Sequence, residues 1–390
     1  MFRSSISSVA DAERVAKRNL PRSVYRAFAR MSGTAEDNLR ALREVGFRPR
    51  VGTRYPQIGL TTTVLGREIA MPIIASPVGG QRLAHRDAET GVARAAEAAG
   101  IPVGLSTSAH HRIEDVTAGL TTPVWYQLYL AGGRDAAEGA IERADKAGCA
   151  ALVLTVDMLG VGMGAKANSA RNRVPNRITV GNAVRYAPEM LAHPKWFVDY
   201  AREGLQLKAA NVRAGPDGQP MTFSEALPIN PTWADIAWIT EIWKGPLVIK
   251  GVLRVDDARR AVDAGADAVV VSNHGGLVLD GVPGSLRCLP AVVETIGTQA
   301  EVLFDGGVRT GADVVKALGL GARAVLCGRA CLWGLAAAGS AGVRQVLEQL
   351  RNDIEVTLAE LGCPSVHDVE VGDLDLPYAW PARTGVGHPF

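Results

Sequence analysis

From Met71 onward the chain repeats one phrase: a short apolar run that stops at a small or polar residue, usually followed by a stretch with helical spacing. The runs are Pro72–Ala75, Pro102–Ser106, Val124–Tyr129, Ala151–Asp157, Leu247–Gly251, Ala268–Asn273, Glu301–Asp305 and Ala324–Gly328. Between them lie amphipathic segments such as Glu89–Ala99, Ala136–Ala147, Asp256–Ala264 and Gly311–Leu318. Runs that are apolar on both faces mark buried parallel strands, and strand–helix alternation builds right-handed βαβ units. Eight such units predict an α/β chain folded as a closed TIM (β/α)8 barrel. An open doubly wound sheet is the alternative, weakened because no GxGxxG follows the first run.

The chain of 390 residues, 47% hydrophobic, is long enough for one large core. We expect a single domain over 1–390, with N-terminal helices and a hairpin in 1–70. Val15, Leu20, Val24 and Phe28 keep helical spacing, Ala35-Glu36-Asp37 starts a further helix, and Thr61–Val64 reads as a hairpin strand. The rhythm breaks once, over 158–232, which in a barrel follows strand 4 and hangs over the C-terminal face. A lid is the functional reading; a surface elaboration or oligomer contact is the other. Within it, 172–177 and 213–220 read as loop and 188–204 as a short helix. Val343, Val346, Leu347, Leu350, Ile354 and Leu361 predict a closing helix, and 375–390 an extended tail.

A net charge of +2 makes no electrostatic case for nucleic acid. Five cysteines without a CxxC pair argue against a disulfide framework or a zinc site and for a reducing cytoplasm. No signal peptide is evident, and the uncharged stretch Ala330–Val343 is short for a span and broken by glycines, so a soluble protein is expected.

Polar residues at the C-terminal ends of barrel strands converge on one mouth. Here they are Ser106, Gln127, Tyr129, Thr155, Asp157, Lys250, Ser272, His274, Asp305, Gly328 and Arg329. Lys250 lies inside an apolar run and is costly to bury without an anionic partner. His274 precedes two glycines where a β-branched run stops, so it is either an incidental turn residue or a proton carrier. Asp157 could orient its ring. The loops Asp305-Gly306-Gly307-Val308-Arg309 and Cys327-Gly328-Arg329 combine glycine with arginine after strands 7 and 8, a barrel phosphate site. With Ser106, Gln127 and Thr155 suited to a flat heterocycle, flavin mononucleotide (FMN) satisfies all of these.

Val-Ser-Asn-His-Gly-Gly (271–276), Leu-Val-Ile-Lys-Gly-Val (247–252), Leu-Thr-Val-Asp (154–157), Tyr-Gln-Leu-Tyr (126–129), Phe-Asp-Gly-Gly-Val-Arg (304–309) and Val-Leu-Cys-Gly-Arg (325–329) resemble the FMN-dependent 2-hydroxy-acid oxidase and dehydrogenase family, in order, from about Leu20 to Val369. The resemblance implies FMN between the phosphate loops and Lys250, with Pro77, Val78 and Gly79 beside the ring. It also implies His274 as the base with Asp157 behind it, Tyr129 at the substrate, and a homotetramer. It leaves the electron acceptor open among oxygen, a quinone and a redox protein.

The departures concern the substrate carboxylate. The family arginine after the His-Gly-Gly turn is Leu277 here, and the one seven residues after the strand-4 aspartate is Gly164. The first-helix tyrosine falls near Ala27 or Phe28, and a strand-2-loop aromatic near Ser108. Lys166, Arg171 or Arg173 could substitute from the lid. This pattern resembles the subgroup around pre-mycofactocin synthase, also through Leu-Pro-Arg-Ser-Val-Tyr (20–25) and Leu-Trp-Gly-Leu (332–335). It implies oxidation of a CH–OH or CH–NH2 carbon beside an amide or ester carbonyl, on a peptide-derived or other natural-product intermediate. The alternatives are a 2-hydroxy-acid dehydrogenase or oxidase anchored by the lid, a non-catalytic flavin-binding protein, and a phosphosugar isomerase.

Overall fold

The computed structural model describes residues 6–158, 180–202, 207–214, 219–222, 228–377 and 380. Its centre is a closed parallel barrel of β1 (Ile73–Ala75), β2 (Val103–Ser106), β3 (Val124–Leu128), β4 (Ala151–Thr155), β5 (Leu247–Val252), β6 (Ala268–Val271), β7 (Glu301–Asp305) and β8 (Ala324–Cys327), paired in chain order and closed by β8 on β1. Each strand falls within a residue or two of a run seen in the sequence.

Strand parity decides which side chains reach the middle. Ile74, Trp125, Val153, Val248, Val270, Leu303 and Leu326 pack together inside the barrel. Two residues on, the same parity brings in Gln127, Thr155, Lys250, Ser272, Asp305 and Gly328, so the polar positions form a layer above an apolar plug. Val64 and Ile69, from the hairpin Thr62–Val64/Arg67–Ile69, close the plug from the N-terminal end. The other parity (Ile73, Leu105, Leu152, Ile249, Val269, Phe304) packs against the surrounding helices.

Three helices precede the barrel: α1 (Val9–Asn19), α2 (Arg22–Phe28) and α3 (Gly33–Glu44). Ser8 and Ser32 cap α1 and α3 by accepting from Asp11 N and Ala35 N. The closing helix Arg329–Leu361 leaves helical geometry at Ala338 and Gly339. Asn19 Nδ2 bonds the carbonyls of Ala336 and Ala337 on one side of that break, and Asp87 Oδ2 accepts from Ser340 N on the other. Arg329 thus starts a separate short helical segment, which packs back on the long outer helix where Gly334 meets Gly342. Among the described residues no helix is long and apolar enough to cross a membrane.

The insertion differs from the sequence expectation. It contains two helices, Val180–Ala192 and Pro194–Ala201, the first running through Pro188. Lys208–Ala214 and Gln219–Thr222 pair as an antiparallel hairpin, whose strand ends at 213–214 and 219–220 fall in the stretch 213–220 expected as loop. The alanine-rich strand has no β-branched alternation to announce it. It forms because Ala210 N bonds Ala109 O and the buried Asn211 side chain bonds Ile113 N and His111 O, all in the segment after β2. The start of the tail is tied down: Leu374–Asp375 pairs with Gly46–Phe47, and the Trp380 indole donates to Glu44.

Candidate active site

The polar layer splits into two halves. Across β2, β3 and β4 the Ser106 hydroxyl donates to Gln127 Oε1 (3.0 Å), and Gln127 Nε2 donates to Thr155 Oγ1 (3.0 Å). Across β5, β6 and β7 the Lys250 ammonium lies 2.9 Å from Asp305 Oδ2 and 3.0 Å from Ser272 Oγ, and Ser272 donates to Asp305 Oδ2 (3.0 Å). Lys250 is 3% exposed. Burial works against its charge, but Asp305 and Asp157 outweigh burial and raise its pKa, so it remains a cation.

β5 contains a bulge, with the register shifting between Lys250 and Val252. Gly251 there has φ +109, and a Cβ on it would fall on the Asp157 carboxyl. Glycine therefore makes the space in which Asp157, two residues past β4, stands beside the end of β5. His274 follows β6 in a left-handed conformation (φ 57), unusual for a residue with a side chain, and Gly275 continues it (φ 63). Its backbone N–H is held by Ser272 Oγ at 3.1 Å. The turn sets His274 Nδ1 3.1 Å from Asp157 Oδ1 and Nε2 3.4 Å from the Tyr129 hydroxyl.

Burial would raise the Asp157 pKa, but His274 and Lys250 overcome that and hold it low. A carboxylate at Oδ1 selects the tautomer with hydrogen on Nδ1, leaving Nε2 to accept a proton. Asp157 Oδ2 is buried with no described hydrogen-bond partner. Burial, and then the Asp157 charge, push the Tyr129 hydroxyl far above the usual tyrosine range, so it stays a donor. The Tyr129 backbone N–H bonds Thr107 Oγ1, which itself donates to the Gln127 carbonyl. Its ring packs with Ala131, Ala209, Val212 and Met158, so the insertion hairpin forms the wall behind it.

Gly306 (φ +140) and Gly307 (φ +87) follow β7; a Cβ on Gly306 would strike Ser285 Oγ, and one on Gly307 would crowd Leu42 and Asn38. Among the described residues the Arg309 and Arg329 guanidiniums bond only backbone carbonyls, Val308 O (2.8 Å) and Gly275 O (2.7 Å), and neither forms an ion pair. Burial lowers both pKa values; Arg329, also repelled by Arg309, is brought to about 10. Both border a cavity of about 210 Å³ with Glu13 and Trp333. Gly328 caps the closing helix beside them. Two guanidiniums that form no ion pair with a described carboxylate, at a helix start and beside bare glycine backbone, suit a phosphate dianion. The buried cation Lys250 and the Ser106–Gln127–Thr155 chain suit the polar edge of a flat ring. The residues present fit FMN.

Pro77, Val78 and Gly79 follow β1, half-buried at the mouth, and Gly104 leaves room for the Pro77 ring. Leu277 is half-buried directly after the His274 turn, its N–H on His274 O (3.3 Å). Gly164, Lys166, Arg171 and Arg173 lie outside the described residues. Ala27 and Phe28 are half-buried in α2, and Ser108 N–H bonds Ser106 Oγ. Sequence reasoning missed Thr107, Gly251 and the reciprocal amide pair of Asn38 and Asn273 (2.8 and 2.9 Å). A signal existed for Asn38: it shares the buried face of α3 with Thr34, Ala35, Ala41 and Leu42. No cluster of metal-ligating side chains occurs among the described residues.

A family profile described as FMN-dependent dehydrogenase matches residues 16–375. A pre-mycofactocin synthase of Mycobacterium tuberculosis (strain CDC 1551 / Oshkosh) is 44% identical over 97% of each chain. The solved (S)-mandelate dehydrogenase, described as a monotopic membrane protein, has a TM-score of 0.86 and 31% identity, covering 96% of this chain and 100% of its own. A mandelate oxidase variant with leucine in place of an arginine, solved with 2-hydroxy-phenylacetamide, has a TM-score of 0.75 and 34% identity over 95% and 98%.

Proposed function

The chain belongs to the family of FMN-dependent dehydrogenases, and we propose that it oxidises a CH–OH or CH–NH2 carbon beside an amide or ester carbonyl of a peptide-derived or other natural-product intermediate. One observation carries this reading. The His274–Asp157 pair, Tyr129 and Lys250 stand together, while Leu277 takes the place after the turn where a carboxylate-binding arginine is expected. A neutral carbonyl needs no such arginine. The similarity to pre-mycofactocin synthase, and the amide solved with an arginine-to-leucine mandelate oxidase, support the same substrate class.

Bound FMN supplies a two-electron acceptor. Lys250, Ser106, Gln127, Thr155 and Ser272 would hold its ring, Pro77, Val78 and Gly79 would line its face, and Asp305, Gly306, Gly307, Arg309, Gly328 and Arg329 would hold its side chain and phosphate. His274 Nε2 takes the substrate proton as two electrons leave the carbon, Asp157 stabilises the resulting imidazolium, and Tyr129 donates to the substrate oxygen. A base strained into the left-handed region and backed by a carboxylate has no purpose in a mere flavin store.

The second reading is a lactate- or mandelate-type 2-hydroxy-acid dehydrogenase whose lid anchors the carboxylate; the 31% identity to (S)-mandelate dehydrogenase favours it. Anaerobic bleaching of the flavin separates the two. The amide and methyl ester of a 2-hydroxy acid, and an α-amino lactam, should bleach it faster than L-lactate or (S)-mandelate. Faster bleaching by the free acids would sink the proposal. We place the enzyme in the cytoplasm, since its five cysteines are unpaired, as a homotetramer passing electrons to oxygen, a quinone or a redox protein. Reoxidation by each acceptor in turn, and the mass in solution, test these points.

A further inference from the structure

The turn that carries His274 touches the phosphate cradle from both sides. On one side Arg329 Nη2 donates to the carbonyl of Gly275, the residue after the histidine (2.7 Å). On the other, Asn273, the residue before it, meets Asn38 of α3 in two reciprocal amide bonds: Asn38 Nδ2 to Asn273 Oδ1 (2.8 Å) and Asn273 Nδ2 to Asn38 Oδ1 (2.9 Å). Neither amide can be turned over. Asn273 Nδ2 also donates to Pro283 O (3.1 Å), and Asn38 Oδ1 also accepts from Ser285 N (2.9 Å). The Ser285 hydroxyl in turn donates to the carbonyl of Asp305 (2.7 Å). The glycines of the cradle rest on the same groups. A Cβ on Gly306 would strike Ser285 Oγ and lie 3.2 Å from Asn38 Oδ1, and one on Gly307 would lie 3.2 Å from Asn38 O.

Asn38, Asn273 and Ser285 are all buried. A buried polar network of this kind fixes one geometry, because losing any partner orphans the others away from water. Fixing is needed here: His274 stands at φ 57, and Gly306 and Gly307 at φ +140 and +87. A side-chain-bearing residue stays in the left-handed region only where its surroundings over-determine it. A third support, Ser272 Oγ on the His274 N–H (3.1 Å), belongs to a hydroxyl that also bonds Asp305 (3.0 Å). All three routes end on β7 or at the start of the closing helix, where the phosphate would sit. We propose that occupation of the phosphate cradle sets the catalytic base, through Arg329 and through the Asn38–Asn273 pair with Ser285, and that Asn38 is a positioning residue for His274. Binding energy at a part of the cofactor that does not react is thereby used to orient the base. The proposal rests on His274 being the base of a flavin-dependent oxidation and adds to that reading what holds the base in place.

The test is magnetic resonance of the full chain carrying isotope-labelled histidine, with FMN, with riboflavin, or with riboflavin and inorganic phosphate. The His274 ring signal is identified by its loss in His274→Gln. It should differ between the riboflavin and FMN forms, and inorganic phosphate should move it from the first position toward the second. In Asn38→Ala the signal should stay near the riboflavin position even when flavin absorbance shows full occupancy by FMN. With whichever donor bleaches the wild-type flavin, phosphate should speed reduction of bound riboflavin by about ten-fold or more, and in Asn38→Ala by less than about two-fold. A wild-type His274 signal that does not respond to phosphate overturns the proposal, whatever the variant does. So does a full response in Asn38→Ala. The signal is read without substrate, so failure of amides and esters to bleach the flavin would leave this result standing.

Discussion

At the scale of single residues, His274 and Leu277 stand three positions apart and carry different information. His274 reads as a base because Asp157 fixes one ring nitrogen and leaves the other open toward Tyr129. His274→Gln should retain FMN, seen by its absorbance, and lose about 10⁴-fold in the rate of anaerobic flavin reduction. A loss under ten-fold would remove His274 from the reaction. Leu277→Arg should install the missing anchor. A charge-assisted pair in a closed site is worth about 1.5–3 kcal/mol, so the KM for a free 2-hydroxy acid should fall by about ten-fold or more while turnover of the amide declines. Both residues are legible in the sequence, one by its presence after a β-branched run and the other by departing from a resembled motif. Tyr129 is legible too, but not what sets its ring, since Ala209 and Val212 are about 80 residues away on an unannounced hairpin.

Among the elements, the barrel strands are readable because parallel strands buried on both faces must be continuously apolar. The bulge in β5 is not, because a glycine in a strand has several explanations and only the fold brings Asp157 against it. Gly251→Ala would put a methyl group on the Asp157 carboxyl and strain a backbone at φ +109. The variant should still fold and bind FMN, while flavin reduction slows by about 10²-fold through misplacement of Asp157. Equal rates for Gly251→Ala and wild type would show that the bulge does not position the pair. The insertion helices show the opposite difficulty. The sequence predicts a helix that starts at Pro188, yet Val180–Ala192 runs through it, with Glu189 fixed to Ser23 of α2.

Across the whole molecule, the N-terminal helices act as a clasp on the loops that carry the site, through pairings that no local pattern could show. Ser32 bonds Gly276 O, Thr34 N bonds Asp280, Asn38 pairs with Asn273, and Asp37 accepts from Gly284 N and from Arg287 Nε and Nη2 (3.0 Å each). Burial alone would raise the Asp37 pKa; Arg287, Gly284 N–H and Arg40 outweigh it and hold the carboxyl at about 2, below its ordinary 3.8. Because the folded value is the lower one, the stabilisation is present above the unfolded pKa and is lost as pH falls through about 2. The difference corresponds to about 2 kcal/mol at neutral pH. Asp37→Asn should therefore lower the denaturant midpoint clearly at pH 7 and less at pH 3, where part of the contribution has already gone. It should also speed loss of FMN on dilution, since the clasp braces the His274 turn and the glycines after β7. An equal destabilisation at both pH values would mean that Asp37 acts through packing and not through its charge.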